Sequence, residues 1–201
     1  MDKQNEKNEM KSLKRCLDDY EINPYTMIIL PVPYGRKIYS IVIEMEEEFL
    51  VKLKPMEIID RSCKYFGSSF KGRKEGTREL MGITHKPPII IEPSHHMFFF
   101  PTVSPTSSDC AWLSHSHIIN HSAAGIGTTK VIFQNNKSIF LDISKGSFEN
   151  QFYHTAQLRT IISSRMENKT HPYVTKMPPT KLEEFISEDM FDLNNYGLDS
   201  E

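Results

Sequence analysis

Lys86-Pro87-Pro88-Ile89-Ile90-Ile91-Glu92-Pro93-Ser94-His95-His96-Met97-Phe98-Phe99-Phe100-Pro101 is the stretch on which the fold turns. Residues 89–91 and 97–100 are short β-branched or aromatic runs, each closed off by proline. Proline has no N–H to give to a sheet ladder, so strands punctuated this way are short and end, or lie at an edge, where the prolines fall. A third β-leaning piece is centred on residues 80–84. Such strands predict an antiparallel, irregular sheet rather than βαβ crossovers. Phe98, Phe99 and Phe100 read as core side chains on alternating faces.

The regions upstream extend the same picture. Residues 27–30 are an apolar run ended by Pro31-Val32-Pro33, where a strand must stop or lie at an edge. Residues 34–37 read as a turn. Ile38, Ser40 and Val42 alternate with Tyr39, Ile41 and Ile43, the pattern of a strand buried on both faces. Phe49, Val51 and Leu53 alternate with Leu50, Lys52 and Lys54, which predicts a half-buried strand with a basic outer face. Residues 56–66 fit a short helix or a further extended piece. Residues 67–77 hold three glycines and no apolar period, so a loop is expected.

Downstream, residues 111–119 read as a strand carrying Trp112, the one tryptophan of the chain. Residues 131–133 and 139–141 flank the turn 134–137 as a hairpin. The best helix starts at Ser147, with Ser147 as cap and Glu149 in the first turn, and runs to Met166. Phe148, Phe152, Ala156, Leu158, Ile161 and Ile162 give it a helical period. A linker with Pro172, Pro178 and Pro179 leads to a last, acidic helix over residues 180–191. Leu182, Phe185, Ile186 and Met190 share one face of it, a stripe for the domain or for a partner's groove. The fold class is therefore α+β: an antiparallel, proline-punctuated sheet followed by C-terminal helices. The expected organisation is a flexible lead-in at 1–19, one domain at 20–168, and a linker with an acidic amphipathic tail at 169–201.

Composition narrows the classes. The chain has 201 residues, 38% of them hydrophobic and 25% charged, as in a soluble globular protein. No apolar run approaches the roughly 20 residues of a membrane helix, and the first residues lack the apolar centre of a secretory signal. Cys16, Cys63 and Cys110 are odd in number and widely spaced, so reduced thiols and a cytoplasmic location are expected. The net charge of -2, from 24 Lys+Arg against 26 Asp+Glu, argues at first sight against nucleic acid. Its distribution does not. Residues 52–86 carry nine basic and four acidic side chains, and residues 181–201 carry one basic and seven acidic ones. A basic middle and an acidic end fit an anion-binding patch with an acidic tail, as well as two solvated faces of opposite sign.

Gly67 and Gly72 have the spacing of a P-loop, but Arg73 and Lys74 stand where Lys and Ser/Thr are required. The hydroxyl for magnesium is missing, so nucleotide hydrolysis is excluded there. Glycines with Arg and Lys still suit a phosphate backbone, and an arginine on a slender loop can enter a narrow minor groove. Cys110, His115, His117 and His121, with His95 and His96 nearby, invite a zinc reading, yet the paired short knuckles of structural zinc sites are absent. Cys63 or Cys110 with a histidine could pair as nucleophile and base, and Ser62, Ser68 or Ser69 are candidate nucleophiles. No Gly-x-Ser-x-Gly elbow accompanies them. Tyr65, Phe66 and Phe70 could stack on bases. No catalytic residue, cofactor or metal is assigned, and an enzyme is not expected.

The middle of the chain also carries unusual strings. They are Asp60-Arg61-Ser62-Cys63, Phe66-Gly67-Ser68-Ser69-Phe70, Gly72-Arg73-Lys74 with Gly76-Thr77, and Thr84-His85-Lys86-Pro87-Pro88-Ile89. Phe100-Pro101-Thr102, Trp112-Leu113-Ser114-His115, Ser147-Phe148-Glu149-Asn150-Gln151 and Leu158-Arg159-Thr160 extend them. Together these resemble the bacterial competence transcription factor family, ComK, over roughly residues 50–165. The resemblance implies a DNA-binding transcriptional activator of DNA-uptake genes. It implies binding of AT-rich boxes of double-stranded DNA, largely through the minor groove, as a dimer or higher oligomer. It also implies a location at the nucleoid, an indirect link to RNA polymerase, and control by the adaptor MecA with the ClpC–ClpP protease. At the C-terminus the chain departs from the family pattern: residues 174–179 and the acidic helix stand where that adaptor's segment lies.

The expected DNA-binding residues are Arg61, Lys64, Lys71, Arg73, Lys74, Arg78 and Lys86, with Arg73 first among them for minor-groove insertion. Leu182, Phe185, Ile186 and Met190 are the expected partner-binding residues of the tail. Two alternatives remain at this point: a histidine-rich zinc module or metal-dependent enzyme, and a diverged paralogue that regulates through protein–protein contacts.

Overall fold

The structure, a computed structural model, describes residues 15–167. Residues 15–163 lie in one compact unit, and Ser164–Glu167 belong to a second. The expected acidic helix, with Leu182, Phe185, Ile186 and Met190, lies outside the described residues. The strands are β1 (Arg15–Leu17), β2 (Thr26–Tyr34), β3 (Lys37–Glu44), β4 (Glu48–Val51), β5 (Ile89–Glu92), β6 (Met97–Pro101), β7 (Trp112–Ser114), β8 (Ile118–Ala123), β9 (Thr129–Phe133) and β10 (Ser138–Leu141). The helices are α1 (Pro55–Tyr65), α2 (Phe70–Met81) and α3 (Lys145–Glu167), with a 3-10 turn at His115–His117.

Seven strands form one sheet in the order β1-β4-β3-β2-β7-β6-β5, and three form a second in the order β10-β9-β8. All neighbours are antiparallel except β1 with β4. The α+β class is as the sequence predicts. The arrangement is richer than one sheet followed by helices, because α1 and α2 interrupt the strands.

The large sheet is buried on both faces, and alternation along each strand sorts its side chains. Ile29, Val42, Val51, Ile89, Ile91, Phe99 and Trp112 point to one face and pack with Ile58, Ile59 and Cys63 of α1. Ile28, Ile43, Phe100 and Leu113 point to the other, where Val131 and Phe133 of the small sheet and Phe148 of α3 meet them. Phe98 joins a third cluster with Ile90 and Leu158 of α3, against Leu80 and Met81 of α2. The three consecutive phenylalanines thus serve opposite faces, as strand geometry requires.

Several expectations are corrected. Residues 70–81 are the helix α2, where a loop and then a strand were expected. Ser69 starts it by accepting the Gly72 N–H on its hydroxyl at 3.1 Å, and Gly82, with φ +71, ends it. Residues 56–66 resolve as helix: Pro55 occupies the first turn and the Glu57 carboxylate accepts the Lys54 N–H at 2.7 Å. Residues 111–119 split into β7, the 3-10 turn and the start of β8. Strand β4 stops at Val51 with Leu50 buried as well, so Lys52 and Lys54 lie past it and give it no basic face. Arg15–Leu17, expected in the lead-in, pair with Phe49–Val51. Helix α3 starts at Lys145, and Ser144 rather than Ser147 sits at its cap, accepting the Ser147 N–H. The hairpin of β9 and β10 is as expected, with Val131 opposite Ile139.

Strand β2 runs straight through Pro31 and Pro33, opposite Ser40 and Ile38. It can do so because β7 pairs only with Ile28 and Ile29, so beyond them the outer side of β2 is an edge. Strand β4 likewise reaches only from Ser40 to Ile43 on β3. Residues 32–39 therefore extend past the sheet as a two-stranded ribbon. Gly35-Arg36 closes it, with Gly35 at φ +61, the first turn position where a two-residue hairpin of this kind calls for glycine.

The segment before β2 is tied to α1 by one buried bond: the Ile22 N–H donates to the Ser62 hydroxyl at 2.9 Å. Ser62→Ala leaves that N–H without a partner in the core. It is expected to lower unfolding stability by about 1–3 kcal/mol in urea titration. An unchanged midpoint would show that the strap over α1 is not held this way.

Candidate nucleic-acid interface

Six of the seven expected basic residues lie on or between the two helices that cover one face of the large sheet, and the seventh, Lys86, follows α2. Helix α1 turns Ile58, Ile59, Ser62 and Cys63 inward, which leaves Arg61 and Lys64 exposed. Both are committed within the protein. Arg61 pairs with Asp19, and Lys64 pairs with Asp60 at 2.7 Å. Asp60 also accepts the Phe70 N–H at 3.1 Å, so this carboxylate joins α1 to the first turn of α2.

Helix α2 carries Lys71, Lys74 and Arg78, all exposed and without an ion pair among the described residues. At 100° per residue they fall on one ridge, since positions three, four and seven apart share a face. Glu75 and Glu79 lie on an adjacent stripe. Arg73 points the opposite way. Its guanidinium donates to the Ile91 carbonyl at 3.1 Å, and two residues beyond Glu75 the buried Thr77 hydroxyl donates to the Pro88 carbonyl at 2.8 Å. Strand β5 is an edge of the large sheet, so α2 is fastened to that edge through side-chain donors. The slender loop on which Arg73 was to project does not exist, and Arg73 positions the helix that presents its neighbours. Lys86 is half-buried and donates to the Ser147 hydroxyl at 3.3 Å.

A second basic feature escaped sequence reasoning. Arg36 and Lys37 are exposed at the end of the β2–β3 ribbon, again without an ion pair among the described residues. In the sequence they belong to a four-residue turn, and only strand pairing reveals that the turn lies beyond the ends of β7 and β4.

The other constellations do not come together. Among the described residues no three His, Cys, Asp or Glu side chains are placed to hold a metal ion. Cys110 is buried against the Val103 and Ala111 carbonyls, and burial pushes its thiol up to about 11. Burial does the same to Cys63, also to about 11. Neither thiol supplies a thiolate near neutral pH. His115 stacks on Phe152 with ring centroids 4.5 Å apart, and His117 accepts or donates at the Ser114 hydroxyl, 2.9 Å away. His121 lies against Phe148 and 3.9 Å from Glu149. His95 pairs with Glu92, and His96 is exposed nearby. Of the aromatic candidates, Phe66 and Phe70 pack on the core and Tyr65 is exposed. Among the described residues no helix is long and apolar enough to cross a membrane.

Burial first, and then the charge of Arg159, hold His115 down to about 4. An unfolded histidine titrates near 6.5, so between those values the unfolded chain binds the extra proton. Stability from this site is full above about pH 6.5 and is lost as pH falls toward 4. His115→Phe keeps a ring on Phe152 and is expected to flatten the fall in Tm between pH 7 and 4.5. An equally steep fall in the variant would assign the acid sensitivity elsewhere.

The family described as "ComK protein" matches residues 17–167. A "Competence transcription factor" of Bacillus subtilis (strain 168) is 46% identical over 153 residues, covering 76% of this chain and 80% of that relative. No solved structure matches the chain.

Proposed function

The chain belongs to the ComK protein family, and from that premise we propose that it is a non-enzymatic, DNA-binding transcriptional activator of bacterial competence genes. The relative named as a competence transcription factor supports the regulatory role. The observation that carries the DNA-binding part is the ridge of Lys71, Lys74 and Arg78 on α2, exposed and free of ion pairs among the described residues. Three cations in a row on a fixed helix can each meet a backbone phosphate.

Within this reading the seven basic residues divide by role. Lys71, Lys74 and Arg78 neutralise phosphates directly. Arg61 and Lys64 flank them and exchange Asp19 and Asp60 for phosphate, at the cost of those surface pairs. Arg73 positions α2, and Lys86 holds the chain that enters β5. The target is AT-rich double-stranded DNA read largely through the minor groove. That groove separates A·T from G·C and little else, so single boxes are degenerate. Two or more copies acting on adjacent boxes gain through effective concentration, which is why an oligomer suits the task. The protein acts at the nucleoid in the cytoplasm, and the apolar stripe of Leu182, Phe185, Ile186 and Met190 serves a protein partner.

The test is a salt series on an AT-rich two-box duplex. Wild-type affinity is expected to fall steeply with salt. Lys71→Ala, Lys74→Ala and Arg78→Ala are each expected to reduce the log–log slope by about 1. Their thermal unfolding stays as in wild type, whereas Arg73→Ala lowers it. Salt-insensitive binding, or three alanine variants that bind as wild type does, would place the interface elsewhere.

A further inference from the structure

We propose that the β2–β3 ribbon is a DNA-probing arm whose tip residue, Arg36, enters the minor groove. The inference rests on the DNA-binding reading above and assigns its sequence-reading element, separate from the phosphate ridge of α2.

The pairing of the strands sets the geometry. Residues 32–34 of β2 and 37–39 of β3 pair only with each other, because β7 stops at Ile29 and β4 at Ser40. Three residues of each strand reach about 10 Å past the sheet. A free two-stranded ribbon is limp in water, and this one is braced. Tyr34 and Tyr39 stack with centroids 4.7 Å apart and planes at 12°. Pro31 and Pro33 fix the backbone of the outer strand and remove donors that would invite another strand. A stiffened arm of this kind keeps its tip in one place relative to the sheet.

The tip suits a narrow groove. Two strands stand about 4.8 Å apart before side chains are added, too broad for a B-form minor groove about 6 Å wide. The turn is slimmer. Gly35 has no side chain and nothing within 4 Å of where one would begin, so Arg36 is the foremost bulky group. A narrow A·T groove has an enhanced negative potential that draws in arginine. Lys37, next along the chain, is placed for the flanking phosphate. On one side the tip borders the protein: Arg36 and Lys37 line a cleft of about 590 Å³ together with Asp109 and Asp142, between the ribbon, β10 and residues 102–111. Those acids keep DNA off the cleft side and leave the opposite side of the tip as the face of contact.

Groove and element can be tested together with the full chain and three duplexes of one design: A·T boxes, the same boxes with I·C pairs, and G·C boxes. An I·C pair shows the minor-groove edge of A·T and the major-groove edge of G·C. Wild type is expected to bind the A·T and I·C duplexes alike and the G·C duplex more weakly. Arg36→Ala is expected to lose about tenfold on the first two and stay within about twofold on the third. Its thermal unfolding should match wild type, since Arg36 has no ion pair among the described residues to lose. Lys74→Ala should weaken all three alike. An Arg36→Ala protein that keeps its A·T preference overturns the proposal, and so does wild type that treats I·C as G·C, which would mean major-groove reading. Wild type that binds none of the three would overturn the DNA-binding reading itself, and this inference with it.

Discussion

Burial of the seven-stranded sheet on both faces is the constraint from which the rest of the structure follows. Short strands such as Met97–Pro101 have no polar face to offer water, since all five residues are buried. Each face therefore needs a cover. Helix α1 and the start of α2 supply one, and the small sheet with α3 supplies the other. Removing a cover would expose phenylalanine and tryptophan in bulk, with each large side chain contributing about 1.5–3 kcal/mol by its burial. The outer surface of the covering helices and the part of the sheet that outruns its covers remain free to meet a partner. Both carry exposed cations without an ion pair among the described residues.

The two features are built by different means. The ridge on α2 depends on Arg73 and Thr77, whose bonds to the Ile91 and Pro88 carbonyls hold a helix that has little apolar surface of its own. The ribbon depends on strand lengths. Strands β2 and β3 outlast β7 and β4, and the surplus has to project. In both cases a structural device places exposed charged groups, and those exposed charges add little to stability. That separation lets the charged residues vary while the fold stays constant.

Much of this was legible in the sequence. Proline-bounded apolar runs marked β5 and β6, alternation marked β3, and the polar turn at 134–137 marked the β9–β10 hairpin. Helix α3 was visible in the period of Phe148, Phe152 and Leu158. Helix α2 was not, for a physical reason. Gly72 and Gly76 each disfavour helix by about 1 kcal/mol relative to alanine, and the inward side chains include an arginine and a threonine. Helix formation there is enforced by tertiary bonds to an edge strand, which have no local signature. The basic candidates were found by counting charge, but counting cannot tell Arg73, which turns inward, from Lys74, which turns out. Arg36 was missed because a turn and a projecting tip read alike until the lengths of neighbouring strands are known.

Backbone amide exchange, compared with and without an AT-rich duplex, tests in one measurement whether DNA meets this protein on α2 and at the tip of the β2–β3 ribbon. Slowed exchange is expected in residues 70–81 and 34–37, with β8, β9 and β10 unchanged. Slowing confined to the small sheet and α3, with α2 and the ribbon exchanging as in the free protein, would contradict that placement.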